Sequence, residues 1–157
     1  MADYERAIDL IKRHADDADF AGPRPPELIE AAEQALGFGF PPTYRRFVAE
    51  YGAGGVGGTE IYGVVDADFE SSSIPDGVWY NLTLRRDGYD ETLYAFYDVG
   101  DGETFCLVTT QVAADGEMPV VGVRFGGGDD REEIAPDFGS VLLTLIEDEL
   151  GLAAGGG

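Results

Sequence analysis

Apolar side chains recur at the helical period most clearly in residues 44–51. Tyr44, Phe47, Val48 and Tyr51 are spaced i, i+3, i+4 and i+7, which places all four on one face of a helix. Two prolines precede this series and Gly52 follows it, as is typical of helix starts and helix ends. The pattern therefore predicts an amphipathic helix that buries an aromatic face.

Two further helices are predicted before this one. Residues 4–15 carry apolar side chains on one face, and so does the segment that runs from the Pro25-Pro26 pair to Gly37. Asp16 to Pro26, between them, is dense in Asp, Gly and Pro and is predicted to be a loop. Phe38 and Phe40 are too apolar for an exposed turn, so they are expected to pack the second and third helices together.

Apolar residues at the strand period predict a sheet in the rest of the chain. The expected strands are Thr59–Val65, Leu93–Tyr97, Thr104–Val108 and Val120–Phe125. The second and third strands carry apolar residues on both faces, so both are expected to be central in the sheet. Connecting loops are expected over Asp66–Gly77, Thr109–Met118 and Gly126–Glu133.

Val78 to Arg86 fits two structures. Its aromatic and β-branched residues favour a strand, whereas Trp79, Leu82 and Arg86 fall on one face of a helix. The chain closes with a helix from Pro136 onwards, whose apolar face comprises Phe138, Val141, Leu142, Leu145 and Ile146. Ala153 to Gly157 is expected to be a disordered tail.

The order of these elements indicates the fold class. No internal repeat is found and no linker separates two apolar blocks, so residues 1–157 are expected to form one domain. Helices come first, strands follow and a helix ends the chain. This order predicts an α+β fold, with a mostly antiparallel sheet of about four to six strands packed against N-terminal helices and a C-terminal helix.

Packing and turn residues in the first half follow a distinctive order: Leu36-Gly37, Phe40-Pro41, Tyr44, Phe47, Tyr51-Gly52, Gly54-Gly55 and Ile61-Tyr62-Gly63. This order resembles the SUKH superfamily, the Smi/Knr type of domain, which is best known from bacterial immunity proteins against polymorphic toxins. The acidic turn from Asp98 to Glu103 and the closing segment from Ile134 are also similar to that family. The resemblance implies that Val78–Arg86 is a helix and that the chain neutralises a toxin.

The charge balance limits the classes of partner. The chain has 31 Asp and Glu against 10 Lys and Arg, a formal net charge of −21, so it repels nucleic acid and anionic membranes. Solubility alone is one explanation of such a charge. A basic protein partner is the alternative, because an acidic surface raises the association rate of a cationic one. Neither the charge nor the elements indicate an oligomeric state.

No catalytic or cofactor site is predicted. Cys106 lies mid-strand among apolar residues and His14 is the single histidine, so neither a zinc site nor a nucleophile paired with a base is expected. The segment Gly52–Gly57 matches G-x-G-x-x-G, but it follows a helix instead of a strand and is expected to be a flexible connector. Asp98, Asp101 and Glu103 lack the spacing of an EF-hand.

The sequence therefore predicts a binding protein without cofactors and without enzymatic activity. The favoured function is that of a cytoplasmic immunity protein that blocks a basic, nuclease-type toxin by occlusion. The alternative is an intracellular regulatory or scaffold domain of the Smi/Knr type with no toxin partner. Acids in segments expected to be exposed are the candidate partner-binding residues: Asp66, Asp68, Glu70, Asp98, Asp101 and Glu103.

Overall fold

A computed structural model describes residues 2–124 and 131–152. The helices in these residues are α1 (Ala2–Arg13), α2 (Pro26–Leu36), α3 (Pro42–Tyr51), α4 (Gly77–Arg86) and α5 (Phe138–Glu149). The strands are β1 (Ala18–Phe20), β2 (Gly54–Val56), β3 (Leu93–Asp98), β4 (Thr104–Val108), β5 (Val120–Val123) and β6 (Arg131–Ala135). The strands form two antiparallel sheets, of two and four strands, which confirms the predicted α+β class.

The N-terminal helices have nearly the predicted bounds. In α3 the side chains of Tyr44, Phe47 and Val48 are fully buried. Gly37 ends α2 with a φ of 83°, the left-handed conformation that glycine adopts most readily. The helix α1 ends at Arg13, two residues before the predicted end, and a short 3-10 turn follows it.

The main core lies between one face of the larger sheet and the helices α1, α3 and α5. Phe138 of α5 packs at 5.5 Å from the Phe47 ring and at 5.3 Å from the Phe96 ring, measured between centroids. The buried Tyr44 hydroxyl donates to the Tyr62 carbonyl at 2.7 Å, so it must accept from the Tyr94 hydroxyl at 2.6 Å. The aromatic stripe of α3 therefore ties the helices to the sheet.

The larger sheet has the order β3-β4-β5-β6, so β4 is central as predicted but β3 is not. The prediction for β3 is wrong because non-strand groups cover its outer edge. The Tyr62 amide donates to the Phe96 carbonyl at 2.8 Å. The side-chain amide of Asn81 in α4 accepts from the Ala95 N–H at 2.7 Å and donates to the Ala95 carbonyl at 2.8 Å. An edge strand can therefore be buried on both faces.

The glycine-rich segment after α3 is not a flexible connector. Its β2 residues are buried and pair with β1, which lies inside the predicted loop from Asp16 to Pro26. Both predictions are wrong for the same reason: the segments are held by backbone pairing instead of side chains. Gly54 has a φ of 116°, and a Cβ there would collide with the carbonyl oxygen of Asp19.

One strand prediction and one loop prediction also need correction. Thr59–Val65 makes only isolated bridges, from Ile61 to Gly54 and from Gly63 to Asp76. In the predicted loop Gly126–Glu133, the last three residues belong to β6, which pairs with β5. The tail from Ala153 and the segment Phe125–Asp130 lie outside the described residues.

The ambiguous segment after residue 76 is a helix, as the family resemblance implied. Asp76 caps it, because its Oδ1 accepts from the Val78 N–H at 3.0 Å and from the Trp79 N–H at 3.2 Å. Tyr80 and Leu84 of this helix pack on the second face of the larger sheet. In the described part of the chain, no helix combines the length and apolar character that crossing a membrane requires.

Candidate functional site

The first group of predicted partner-binding acids lies in the loop that follows Val65. Asp66, Asp68 and Glu70 are all exposed. The Oδ1 of Asp66 accepts from the Asp68 N–H at 2.9 Å, and the Oδ1 of Asp68 accepts from the amides of Glu70 and Ser71 at 3.2 and 3.0 Å. These turns hold the two aspartates in place through one oxygen each, which leaves the second oxygen of each open to a partner.

The second group lies in the hairpin between β3 and β4, where the three acids differ. The Oδ1 of Asp98 accepts from the Gly100 N–H at 2.9 Å and the residue is exposed. Asp101 faces Arg124, whose Nη2 is 3.5 Å from its Oδ1. Glu103 is half-buried and its carboxylate lies over Gly122, where a Cβ would collide with it. Asp98 is therefore the acid of this group most available to a partner.

The two groups of acids lie on separate loops. Among the described residues, neither an ion pair nor a hydrogen bond links Asp66, Asp68 or Glu70 to the hairpin acids. Each loop carries an exposed apolar residue beside its acids. Ile74 is 46% exposed and Val99 is 39% exposed. Each loop therefore combines exposed acids with one exposed apolar residue, a composition that suits protein contacts.

Asp98 also lies close to two tyrosines, Tyr62 and Tyr80, whose rings contact each other. The rings of Tyr62 and Tyr80 are 5.1 Å apart in an edge-to-face arrangement. Burial, with a further contribution from the negative charge of Asp98, raises the pKa of Tyr62 to about 12. The same two causes, in the same order, raise the pKa of Tyr80. These phenols are therefore neutral hydrogen-bonding groups at physiological pH.

Acids that the sequence analysis did not select converge on the same end of the sheet. Burial raises the pKa of Tyr97, and the charges of Glu149, Asp98 and Asp148 raise it further. Glu149 also accepts a hydrogen bond from the Gly58 amide. The last turn of α5 contains three acids and no base, although negative charge at a helix C-terminus is unfavourable. Three acids in the last turn of a helix lower its stability, so this pattern in the sequence could have indicated that these acids have a function.

Two other carboxyl groups are buried and act as helix caps, so they lie outside this surface. Asp76 caps α4, and Glu117 caps α3 from the loop before β5 by accepting from the Thr43 N–H at 3.0 Å and the Thr43 hydroxyl at 2.9 Å. Burial is the main cause that raises the pKa of each above its ordinary value. Sequence reasoning missed Glu117 because its cap spans 74 residues.

Basic side chains neutralise a minority of the acids. Six of the ten bases form ion pairs with described residues, and these pairs engage eight of the 29 acids that the structure describes, which are all but Asp129 and Asp130. Arg13, Arg45 and Arg46 each form an ion pair with an acid. Arg85 instead donates to the Leu36 carbonyl at 2.8 Å. Most acids in residues 2–124 and 131–152 therefore have no ion pair with a basic side chain.

The single cysteine and the single histidine have defined surroundings. Cys106 is fully buried, and burial raises the pKa of its thiol to about 12, so the reactive thiolate is suppressed. His14 lies just after α1 with its Nδ1 at 3.0 Å from the Leu10 carbonyl oxygen. Among residues 2–124 and 131–152, no three His, Cys, Asp or Glu side chains are grouped closely enough to hold a metal ion.

Comparison with known proteins identifies the family. The sequence model of the family described as SUKH_5, SMI1-KNR4 cell-wall, matches residues 4–147. The chain belongs to the SMI1-KNR4 family. A search of curated proteins found no match. The match extends from α1 to the C-terminal half of α5. Membership in the SMI1-KNR4 family fits an immunity role at the level of the family.

Proposed function

We propose that this protein is an immunity protein that binds a basic, nuclease-type toxin domain and blocks it by occlusion. The observation that carries the proposal is the excess of exposed acids, because ion pairs engage only eight of the 29 acids in the described part of the chain. A toxin that acts on nucleic acid needs a cationic surface. An acidic protein competes for that surface directly.

Acidic residues on the two loops are proposed to contact the toxin. Asp66, Asp68 and Glu70 lie on one loop, and Asp98 projects from the hairpin beside the Tyr62–Tyr80 pair. Charges at the rim of an interface mainly raise the association rate, whereas aromatic and apolar groups at its centre hold the complex. Asp101 and Glu103 contribute less in this arrangement, because Asp101 is paired with Arg124 and Glu103 is half-buried against Gly122.

The mechanism needs no chemistry from this chain. Occlusion requires only that the bound protein cover the cationic groups on which the toxin relies. The place of action would be the cytoplasm, where a toxin meets its nucleic acid target. A single buried cysteine that forms no disulfide suits that reducing compartment.

The test is coexpression with the product of the neighbouring gene. The proposal predicts that this product arrests growth alone, that coexpression restores growth, and that the two proteins purify as a stable complex at low salt. A neighbour that is not toxic, or a toxic neighbour that this chain neither binds nor neutralises, would refute the proposal. The first outcome would favour the regulatory or scaffold function instead.

A further inference from the structure

A groove runs between α5 and the sheet face that α5 covers. It has a volume of about 360 Å³, and its lining includes Phe105, Ile134, Val141, Thr144, Leu145 and Asp148. Phe105, Ile134 and Leu145 are only half-buried, although they are large apolar side chains. The floor of the groove is therefore apolar surface that the described chain leaves partly uncovered.

The groove opens beside β6, which is the edge strand of the larger sheet. Among the described residues, no backbone group pairs with the outer edge of β6, and Arg131, Glu132 and Glu133 are exposed. A free strand edge presents unpaired N–H and C=O groups to which another extended segment can add. The contrast with β3 is direct, because Asn81 and the Tyr62 segment cover that edge.

The register of β6 relates its edge to the groove. Glu132 is opposite Gly122, and Gly122 is opposite Phe105, so Glu132 points to the same face as the groove floor. Ile134 also contacts the position of a Cβ on Gly122 and thus lies on this face. A strand added to β6 would therefore send every second side chain towards the groove and the others to the opposite face.

Charge indicates which segment suits this edge. Arg131 is engaged, because its Nη2 is 2.9 Å from Asp90. Glu132 and Glu133 have no ion pair with a described residue. Asp148 adds a carboxylate to the helix wall of the groove. A second copy of this chain would bring the same acids against these, whereas a basic segment would neutralise them.

From these observations we propose that β6 and the adjoining groove dock an extended segment of the partner in which apolar and basic residues alternate. The apolar residues fill the groove over Phe105 and Leu145. The basic residues project to the opposite face beside Glu133, and the backbone continues the sheet. Glu132 and Asp148 border the groove and add negative potential around the docked segment. This inference rests on the proposed function, since it names the part of the protein that holds a basic partner most firmly.

The test uses a synthetic nine-residue peptide of alternating Lys and Val, with a peptide of the same composition in blocks as its control. We expect the alternating peptide alone to bind and to slow amide exchange in residues 131–135. Thr144→Trp, at an exposed position on the groove wall, should weaken binding at least about tenfold, and so should Glu132→Lys with Glu133→Lys.

Matched control variants distinguish an effect at the β6 site from a general effect of added bulk or changed charge. Gln34→Trp, and Glu27→Lys with Glu30→Lys, make the same changes at exposed positions of α2 and should leave binding within about twofold of wild type. The inference would be overturned if neither peptide bound, if both peptides bound equally, or if the β6 amides stayed unprotected. It would also be overturned if the control variants weakened binding as much as the test variants, or if the chain self-associated through β6.

The same variants distinguish this inference from the proposed function. If the neighbouring toxin is neutralised equally by wild type and Thr144→Trp, the immunity function stands and the β6 site is wrong. If the alternating peptide docks as expected but the neighbouring product is neither toxic nor bound, the site stands and the immunity function is wrong.

Discussion

Replacement of Asn81 should destabilise the protein, because this side chain stands in for a missing strand beside β3. Asn81 as a whole is 2% exposed; its side-chain NH₂ donates to the carbonyls of Gly77 and Ala95, both at 2.8 Å, and its side-chain oxygen accepts from the Ala95 N–H. Asn81→Ala leaves both backbone groups of Ala95 without these partners. A buried polar group without a partner costs roughly 1–3 kcal/mol, so two predict a loss of about 2–6 kcal/mol.

The assay is urea denaturation followed by circular dichroism, with amide exchange measured at Ala95. Thr83→Ala on the same helix is the control and should change the free energy of unfolding by no more than about 0.5–1 kcal/mol, since no hydrogen bond of its hydroxyl is found among the described residues. Exchange at Ala95 should accelerate in Asn81→Ala more than in the control. A loss below about 1 kcal/mol with unchanged exchange would refute the edge-covering role.

Asn81→Asp sharpens the test through pH. The protonated acid can both accept from and donate to Ala95, as the amide does, but the carboxylate can only accept. Burial raises the pKa of such a group in the folded protein, so the folded state binds more protons than the unfolded state. The stability of this variant relative to wild type should therefore fall as pH rises from about 4 to about 7. A pH-independent difference would contradict the assigned hydrogen bonds.

Three further predictions concern other parts of the fold. Phe47→Ala should cost about 3–5 kcal/mol by denaturation, because the ring is fully buried against Phe138. A much smaller loss would contradict the packing of α3. The pKa of Glu117 is raised by burial, so its contribution to stability falls as pH rises above its ordinary pKa near 4.5, and Glu117→Gln should remove that fall in pH-dependent melting. Cys106 should react with a thiol reagent only after unfolding; rapid labelling of the native protein would contradict its burial.

Helices were predictable from sequence where side chains carry the periodic signal. The series of Tyr44, Phe47 and Val48 is buried as its spacing indicates, because an amphipathic helix buries one face whatever its neighbours are. The segment after Asp76 was ambiguous, since its propensities favour a strand. The cap formed by Asp76 settles the structure locally, and the resemblance to the family had already favoured the helix.

Features that depend on backbone pairing were not predictable in the same way. The β2 strand consists of Gly54, Gly55 and Val56, which offer almost no side-chain pattern, and its partner β1 lies 34 or more residues earlier. The β6 strand carries charges at three successive positions because its outer edge faces solvent, so it lacks the alternation of a half-buried strand. An exposed edge and a glycine strand therefore both resemble loops in a sequence.

The candidate site was predictable only in its chemistry. Composition indicates an acidic surface, and the exposure of Asp66, Asp68 and Asp98 agrees with that expectation. The approach of Asp148 and Glu149 to Tyr97 depends on where α5 ends relative to β3, which a single sequence does not encode locally. The engagement of Asp101 by Arg124 likewise requires the fold, because 23 residues separate them.

Association kinetics with the product of the neighbouring gene would test the central claim, which is that an acidic face recruits a basic partner. The variant replaces Asp66, Asp68 and Asp98 by Asn and Glu70 by Gln, which removes four charges. The Asn side chains keep the carbonyl oxygens that accept the backbone hydrogen bonds of the three turns. The control makes the same change at exposed acids elsewhere: Asp16, Asp17, Glu27 and Glu30.

The account predicts that the first variant associates about tenfold more slowly at low salt, that high salt narrows the difference, and that the control is affected much less. Both variants should melt within a few degrees of wild type, which separates binding from folding. Association that does not depend on salt, or an equal effect of the control, would contradict the acidic-face account.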